Sequence, residues 1–465
     1  MYLNLDEKPK DAIALRDSAN DQLTYGQLCA SVEELGTRTE KRSMIFCLCR
    51  NDIGAALGYL AFVNGGQVPL LLSDRIDPTL LDALVNTYAP AYFYYPEELD
   101  LPFGRREVAR THGYVLARTD APVYPVHDEL SLLLPTSGST GSPKLVRHAY
   151  RNLCANARNV ATAFSIAEDE RALLELPLQY TMGLSVLSSH LYRGARVVLT
   201  RFGLTETGFY RQFREEGITS FTGVPYTFEI LSRLRFTRSD WPELRLLSVG
   251  GGRLSDRLIE EFATFCQSKG GGFVSSFGQT ECTARMALLE PQYALTKLGS
   301  IGKAIPEGRL YLIDENGKEI AGEGDGEMCY DGPNVTMGYA TCREDLQKGD
   351  EWHGVRHTGD LAHRDDEGFF FITGRLSRFL KIYGVRVGLD ESEKLLRAAL
   401  NTDCACTGTD KLMRIYLTDA EKERAAVDCM AETTGLPRTV FSCRHIAEIP
   451  RNETGKILYA QLPDG

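Results

Sequence analysis

The chain has 465 residues, 43% of them hydrophobic and 25% charged, which is enough to bury a large core divided over two or three domains. A formal net charge of −11 at pH 7 argues against nucleic acid or an anionic membrane as partner, because both need clustered Lys and Arg to neutralise phosphates. The longest apolar window, Gly54 to Val63, falls short of the ~18 residues of a membrane-spanning helix, and the opening MYLNLDEKPKD lacks a basic-then-apolar leader pattern, so a cytoplasmic protein is expected.

In chain order, Ser43–Cys49 (SMIFCLC) reads as a buried strand, Asp52–Val63 as a helix ended by Gly65-Gly66, and Gln67–Leu72 as the next strand. Asp77 followed by Pro78 opens another helix, since Asp caps free amides and Pro suits a first turn. After Leu132 the alternation resumes: helix near Arg151–Phe164, strand Ala172–Leu176, helix Ser185–Tyr192 and strand Arg196–Thr200. Strands at Ser220–Val224, Leu244–Val249 and Phe273–Phe277 continue it, which predicts two α/β layers. From about Gly299 short strands and turn signals (DENG, GEGDGE, DGPN, DDEG) indicate a small β-rich unit ending near Thr373. The remaining tail is close to electroneutral while the body carries the acidic excess, which places a boundary near Gly374. The twelve cysteines include two C-x-C pairs, Cys47/Cys49 and Cys404/Cys406, but no zinc-type spacing; reduced thiols packed as small hydrophobes are expected. His353 and His357, four apart but flanked by glycines, read as solvated loop residues rather than a metal pair.

The segment with the most chemistry is LLLPTSGSTGSPKLV (Leu132–Val146), where a strand feeds a run of small polar residues and then Lys144. Amides and hydroxyls in such a turn converge on an anion, and the lysine adds a full charge. It is not a Walker loop, because Pro143 stands where the second glycine belongs and Leu145 where the metal-binding hydroxyl belongs.

The segment resembles the phosphate loop of the acyl-adenylate-forming superfamily, with Pro135 and Leu145 replacing the usual aromatic residue and glycine at its flanks. Further segments resemble the family in the right order: LTYGQL (Leu23–Leu28), GGQVPLL (Gly65–Leu71), VGGGRL (Val249–Leu254), FGQTE (Phe277–Glu281), HTGDL (His357–Leu361), GRLSRFLKIYGVRV (Gly374–Val387) and PRNETGK (Pro450–Lys456). The resemblance implies a large N-terminal domain, residues 1–374, of two α/β layers plus a β-rich subdomain. A small mobile α+β domain, residues 375–465, would follow. It implies an ATP- and Mg²⁺-dependent carboxylic acid ligase that forms an acyl-adenylate, releases pyrophosphate, and then makes a thioester on CoA or on the phosphopantetheine of a separate carrier protein.

Residue by residue, the phosphates fall to Thr136, Ser137, Gly138, Ser139, Thr140, Gly141 and Lys144, and Mg²⁺ to Glu281 beside Thr280, a hard cation preferring carboxylate oxygen. Gly251, Gly252, Phe277, Gly278 and Gln279 would line the adenine, and Asp360 with Arg375 would hold the ribose. Lys456 would stabilise charge growing in the adenylation transition state. Ser377 stands at the hinge position, where the family carries Asp or Lys, and Gly384 on the face that admits a pantetheine arm.

The acid would meet Tyr180, Met182, Gly183, Val224 and Ser248, a mixed apolar and small surface that suits a fatty, short acyl or aryl acid. Thr181 occupies the position of the carboxylate that amino-acid-activating relatives offer to a substrate amine, so α-amino acids are disfavoured. No carrier segment follows Lys456, so a separate thiol is expected. The alternatives are a stand-alone amino-acid adenylation enzyme, a luciferase-like oxygenase, and an ATP-binding relative without turnover; Glu281 and Lys456 together argue against the last.

Overall fold

The computed structural model describes residues 1–103, 106–136, 144–376, 378–383, 385–452 and 455–463, with nothing described of the Arg386 side chain. The run MIFCLC forms the strand Met44–Cys49, buried at every position, because a strand inside a parallel sheet is covered on both faces and reads as unbroken apolar sequence. It pairs in parallel with Val68–Ser73 and with Tyr92–Pro96. The intervening helix Ile53–Gly65 starts where the Asp52 side chain accepts from the Ala55 amide and stops at Gly66 in the left-handed region. Asp77 caps Pro78–Tyr88 in the same way.

Among the described residues the strands build a nine-stranded and an eight-stranded sheet, the two α/β layers expected. In the larger sheet, Arg171–Leu174, Ser220–Gly223, Leu246–Val249 and Gly272–Gln279 run parallel in succession, so Glu175, Val224, Gly250 and Thr280 all leave at one edge. Open α/β sheets bind ligands at that carboxyl edge. The direction then reverses with Ala284–Leu289, which pairs antiparallel with the preceding strand.

Two boundaries differ from the sequence reading. The helix expected to begin at Ser185 begins at Thr181, because Gly183 fits inside its first turn, where a side chain would collide with the Pro177 carbonyl. His357 lies in the strand Val355–Arg364 rather than in a loop. The β-rich region contains a four-stranded sheet in the order Arg309–Ile313, Gly324–Asp331, Val355–Arg364, Phe370–Arg375.

The chain divides into two compact units, Met1–Arg309 with Asp331–Arg356, and Leu310–Tyr330 with His357–Gly465. In the second, the helices Leu389–Leu400 and Glu423–Thr434 pack with the strands Cys404–Thr409, Leu412–Leu417 and Phe441–His445 around Leu396, Met413, Ile415 and Met430. Cys47, Cys49, Cys404 and Cys406 are buried free thiols. Among the described residues no helix is long and apolar enough to cross a membrane.

Candidate active site

In the first unit, the two strands that flank the phosphate-loop candidate pair with each other. Leu130–Pro135 and Leu145–Ala149 pair antiparallel, Pro135 opposite Leu145, and the Thr136 amide donates to the Lys144 carbonyl at 3.0 Å. Leu145 is fully buried between its register partners Pro135 and Ala340 in the core cluster that also holds Leu133, so core packing accounts for its departure from the family's glycine. Ser137, Gly138, Ser139, Thr140 and Gly141 lie outside the described residues. Lys144 is exposed, with Nζ 5.3 Å from the centre of the Tyr339 ring.

Tyr339 connects that lysine to Glu281. Its hydroxyl donates to Glu281 Oε1 at 2.5 Å, while Arg356 Nη2 donates to the same hydroxyl at 3.2 Å and lies 3.8 Å from Oε1. Burial and the Glu281 charge raise the Tyr339 pKa, so it remains a donor. The Glu281 backbone is fixed as well, its carbonyl accepting from the Thr336 amide and hydroxyl at 3.0 and 2.9 Å. Among the described residues Oε2 accepts no hydrogen bond, and a carboxylate with one oxygen held and the other open suits Mg²⁺.

Segment 331–356 delivers Tyr339 and Arg356, and it is fastened by Arg147, whose side chain is wholly buried. Arg147 donates to the carbonyls of Met337 (2.9 Å), Tyr339 (3.0 Å) and Gly349 (3.2 Å) and pairs with Glu351. Asn152 donates to the carbonyls of Pro333 and Val335 at 2.8 and 2.7 Å.

The candidate acid and adenine residues gather at the carboxyl edge of the large sheet. A methyl group placed on Gly251 would lie 3.4 Å from both Met182 Cε and Val224 Cγ1, so the glycine turn adjoins the expected acyl wall. Gly252 abuts Pro225. Ser248 is buried, its hydroxyl 2.7 Å from that of Thr222. Tyr180 precedes the helix Thr181–Arg193, with Gly183 inside its first turn. Thr280 and Thr181 face each other at 3.4 Å between hydroxyl oxygens. Phe277, Gly278 and Gln279, each partly exposed, end their strand at a bulge where a side chain on Gly278 would lie 1.4 Å from the Ala284 carbonyl oxygen.

The second unit holds the remaining candidates. Asp360 and Arg375 are register partners on adjacent strands, with Nε 2.9 Å from Oδ1; Asp360 is 1% exposed. Lys456 is exposed, its amide donating to Asn452 Oδ1 and its carbonyl accepting from the Asn452 amide, each at 2.9 Å. Ser377 and Gly384 lie outside the described residues. Arg378 and Arg397, at the start of the tail, are engaged by Glu393 at 2.8 and 3.4 Å. His357 has Glu327 and Cys329 beside it, with the three candidate ligand atoms within 4.8 Å of one another.

Sequence reasoning did not find Tyr339, Arg356 or Arg285. Arg285 stands inside the apolar run TARMALL, is 3% exposed, and burial pushes its pKa down to about 10. A cation in an apolar strand was the available signal.

Known proteins align with this arrangement. The AMP-binding enzyme family matches residues 4–340. A 2-succinylbenzoate–CoA ligase of Bacillus cytotoxicus is 32% identical over 357 residues, 72% of this chain and 71% of that protein. The Bacillus velezensis ligase of the same name is 28% identical over 393 residues, 82% of this chain and 78% of its own. The solved O-succinylbenzoate coenzyme A synthetase of Bacillus subtilis in complex with AMP shares the fold at a TM-score of 0.79 and 23% identity, covering 99% of this chain and 97% of that one. A Mycobacterium tuberculosis fatty acyl CoA synthetase shares it at 0.74 and 21%, covering 98% and 95%. This chain belongs to the AMP-binding enzyme family and is an ATP-dependent ligase that joins a carboxylic acid to a thiol through an acyl-adenylate.

Proposed function

We propose that the chain activates a compact, non-amino carboxylic acid and hands it to CoA, using the residues assembled around Glu281 and, from the second unit, Asp360, Arg375 and Lys456. The observation that carries this reading is Glu281, a carboxylate held on one oxygen by Tyr339 and placed directly after Thr280 at the edge where Gly251, Met182 and Val224 meet.

An oxygen of the acid attacks the α-phosphorus of ATP, the bond to the β-bridging oxygen breaks, and pyrophosphate leaves. The thiolate sulfur then attacks the acyl carbon and the bond to AMP breaks. Thr136 and Lys144 frame the loop that receives the leaving phosphates, and Lys144 supplies positive charge there. Glu281 is the residue that would hold Mg²⁺, which when bound neutralises phosphate charge. Asp360, oriented by Arg375, accepts from the ribose hydroxyls. Lys456, held to Asn452, supplies charge to the adenylation step only, and residues 375–465 form the small domain that brings it in and withdraws it before the thiol enters.

The relatives' name makes 2-succinylbenzoate the first acid to test. Thr181 meets Thr280 where an amine would require an acid, which opposes α-amino substrates. Acid-dependent ATP–pyrophosphate exchange with 2-succinylbenzoate, fatty acids and α-amino acids tests the reading, followed by transfer to CoA or to a phosphopantetheinylated carrier. Exchange with a non-amino acid and transfer to CoA is expected. Exchange with no acid, or with α-amino acids alone, would overturn it, and transfer to the carrier alone would overturn CoA as the acceptor.

A further inference from the structure

Arg285 is a charge without a counter-charge. Its guanidinium donates from Nη2 to Thr222 Oγ1 at 3.3 Å and lies 4.4 Å from the centre of the Phe164 ring. Nε has no hydrogen-bond partner, and among the described residues no carboxylate pairs with it. Burial alone sets its lowered pKa of about 10, so it is a cation at neutral pH. Such a group is strongly destabilising unless something pairs with it, and neither a neutral hydroxyl nor a ring supplies the missing charge.

The position of Arg285 indicates the partner. It lines a cavity with Val186, His190, Ser220, Thr222 and Glu170, whose carboxylate accepts from the Thr219 hydroxyl rather than from Arg285. Burial lowers the His190 pKa to about 4, so that ring is neutral and adds no second cation. Thr222 in turn meets Ser248, the buried member of the expected acyl wall, at 2.7 Å. Thr222 and Ser248 precede Val224 and Gly250, the edge of the site, by two residues of strand, or ~7 Å. A polar ladder therefore descends from the acyl wall to an unpaired guanidinium, whereas a fatty acid would meet there a cation it cannot satisfy.

We propose that Arg285 is a specificity-determining residue that seats a second carboxylate of the acid, at the level of Thr222 and below the edge where the first is activated, and that the natural substrate is a compact dicarboxylate. This rests on the reading of the chain as an acid–CoA ligase whose acyl wall includes Met182, Val224 and Ser248. It agrees with the name of the relatives, since 2-succinylbenzoate carries two carboxylates.

The test compares 2-succinylbenzoate with 3-benzoylpropanoate, which lacks the ring carboxylate, and 2-butanoylbenzoate, which lacks the chain carboxylate, by pyrophosphate exchange. The unaltered protein should favour the diacid by ~10²-fold in kcat/KM over whichever monoacid it activates. Arg285→Gln should lower kcat/KM for the diacid ~10²-fold while leaving the monoacid within about threefold, and Arg285→Lys should recover part of the loss. Equal use of diacid and monoacid by the unaltered protein, a comparison that needs no variant to fold, would overturn the proposal. An equal fall for both acids in Arg285→Gln would do the same. Exchange with monoacids alone would leave the ligase reading standing and remove only this inference, whereas silence with every acid would remove both.

Discussion

Tyr339→Phe tests whether Tyr339 holds the carboxylate assigned to Mg²⁺. It deletes one oxygen, and with it the 2.5 Å hydrogen bond to Glu281 Oε1 and the 3.2 Å acceptor for Arg356, while the ring under Lys144 is kept. A hydrogen bond to a charged group contributes about 1.5–3 kcal/mol, and 1.4 kcal/mol is about tenfold in an equilibrium constant. Arg356, already 3.8 Å from Oε1, can close part of the gap, which sets the expected loss at ~10–100-fold in apparent Mg²⁺ affinity, the range usual for groups that orient metal ligands. The assay is a Mg²⁺ titration of acid-dependent pyrophosphate exchange at saturating ATP and acid. The half-saturating Mg²⁺ concentration should rise while the KM for the acid stays put. An unchanged Mg²⁺ dependence, or tighter binding, would refute the reasoning, because Tyr339 would then be a bystander or a competitor for Oε1.

Lys456→Ala should lower acyl-adenylate formation ~10²–10³-fold and spare thioester formation from supplied acyl-adenylate, measured as separate half-reactions; equal loss in both would remove its assigned role. Glu175 has its carboxyl pushed up from 4.5 to about 7 by burial. A carboxyl raised in the folded state gives stability that is full below its unfolded pKa and is lost as pH rises through about 7. Glu175→Gln should therefore flatten the fall in unfolding free energy between about pH 4.5 and 7, a difference of about 3 kcal/mol; a profile of unchanged slope would dismiss Glu175 as its source. Gly278→Ala places a methyl 1.4 Å from a backbone carbonyl that no rotamer change can relieve, so urea unfolding should show a loss above ~3 kcal/mol, and a loss below ~0.5 kcal/mol would contradict the packing.

What could be read from sequence depended on how local the cause was. Met44–Cys49 was legible because double-sided burial writes itself as an unbroken apolar run, and Asp52 and Asp77 because a cap acts within three residues of itself. The start of the helix at Thr181 was not, since Gly183 reads as a breaker until the Pro177 carbonyl is known to press on it. Asp360 and Arg375 were linked through family resemblance, and the register pairing of two strands now gives that link a geometric basis within the second unit. Tyr339 and Arg356 carried no motif of their own, because their relation to Glu281 exists only once segment 331–356 has returned to the first unit. Arg285 was hidden by the opposite circumstance, a charge whose meaning is set by what does not surround it.

That return has a consequence for biosynthesis. The chain leaves its first unit at Arg309, comes back at Asp331 and departs again after Arg356, and the buried Arg147 can close its bonds to Met337, Tyr339 and Gly349 only when that detour is complete. A ribosome that has delivered the nine-stranded sheet has thus not yet delivered the clasp on Glu281. A truncation at Arg309 leaves a guanidinium in the interior with its acceptors missing, and should behave as an aggregation-prone nascent intermediate rather than as an autonomous nucleotide-binding module.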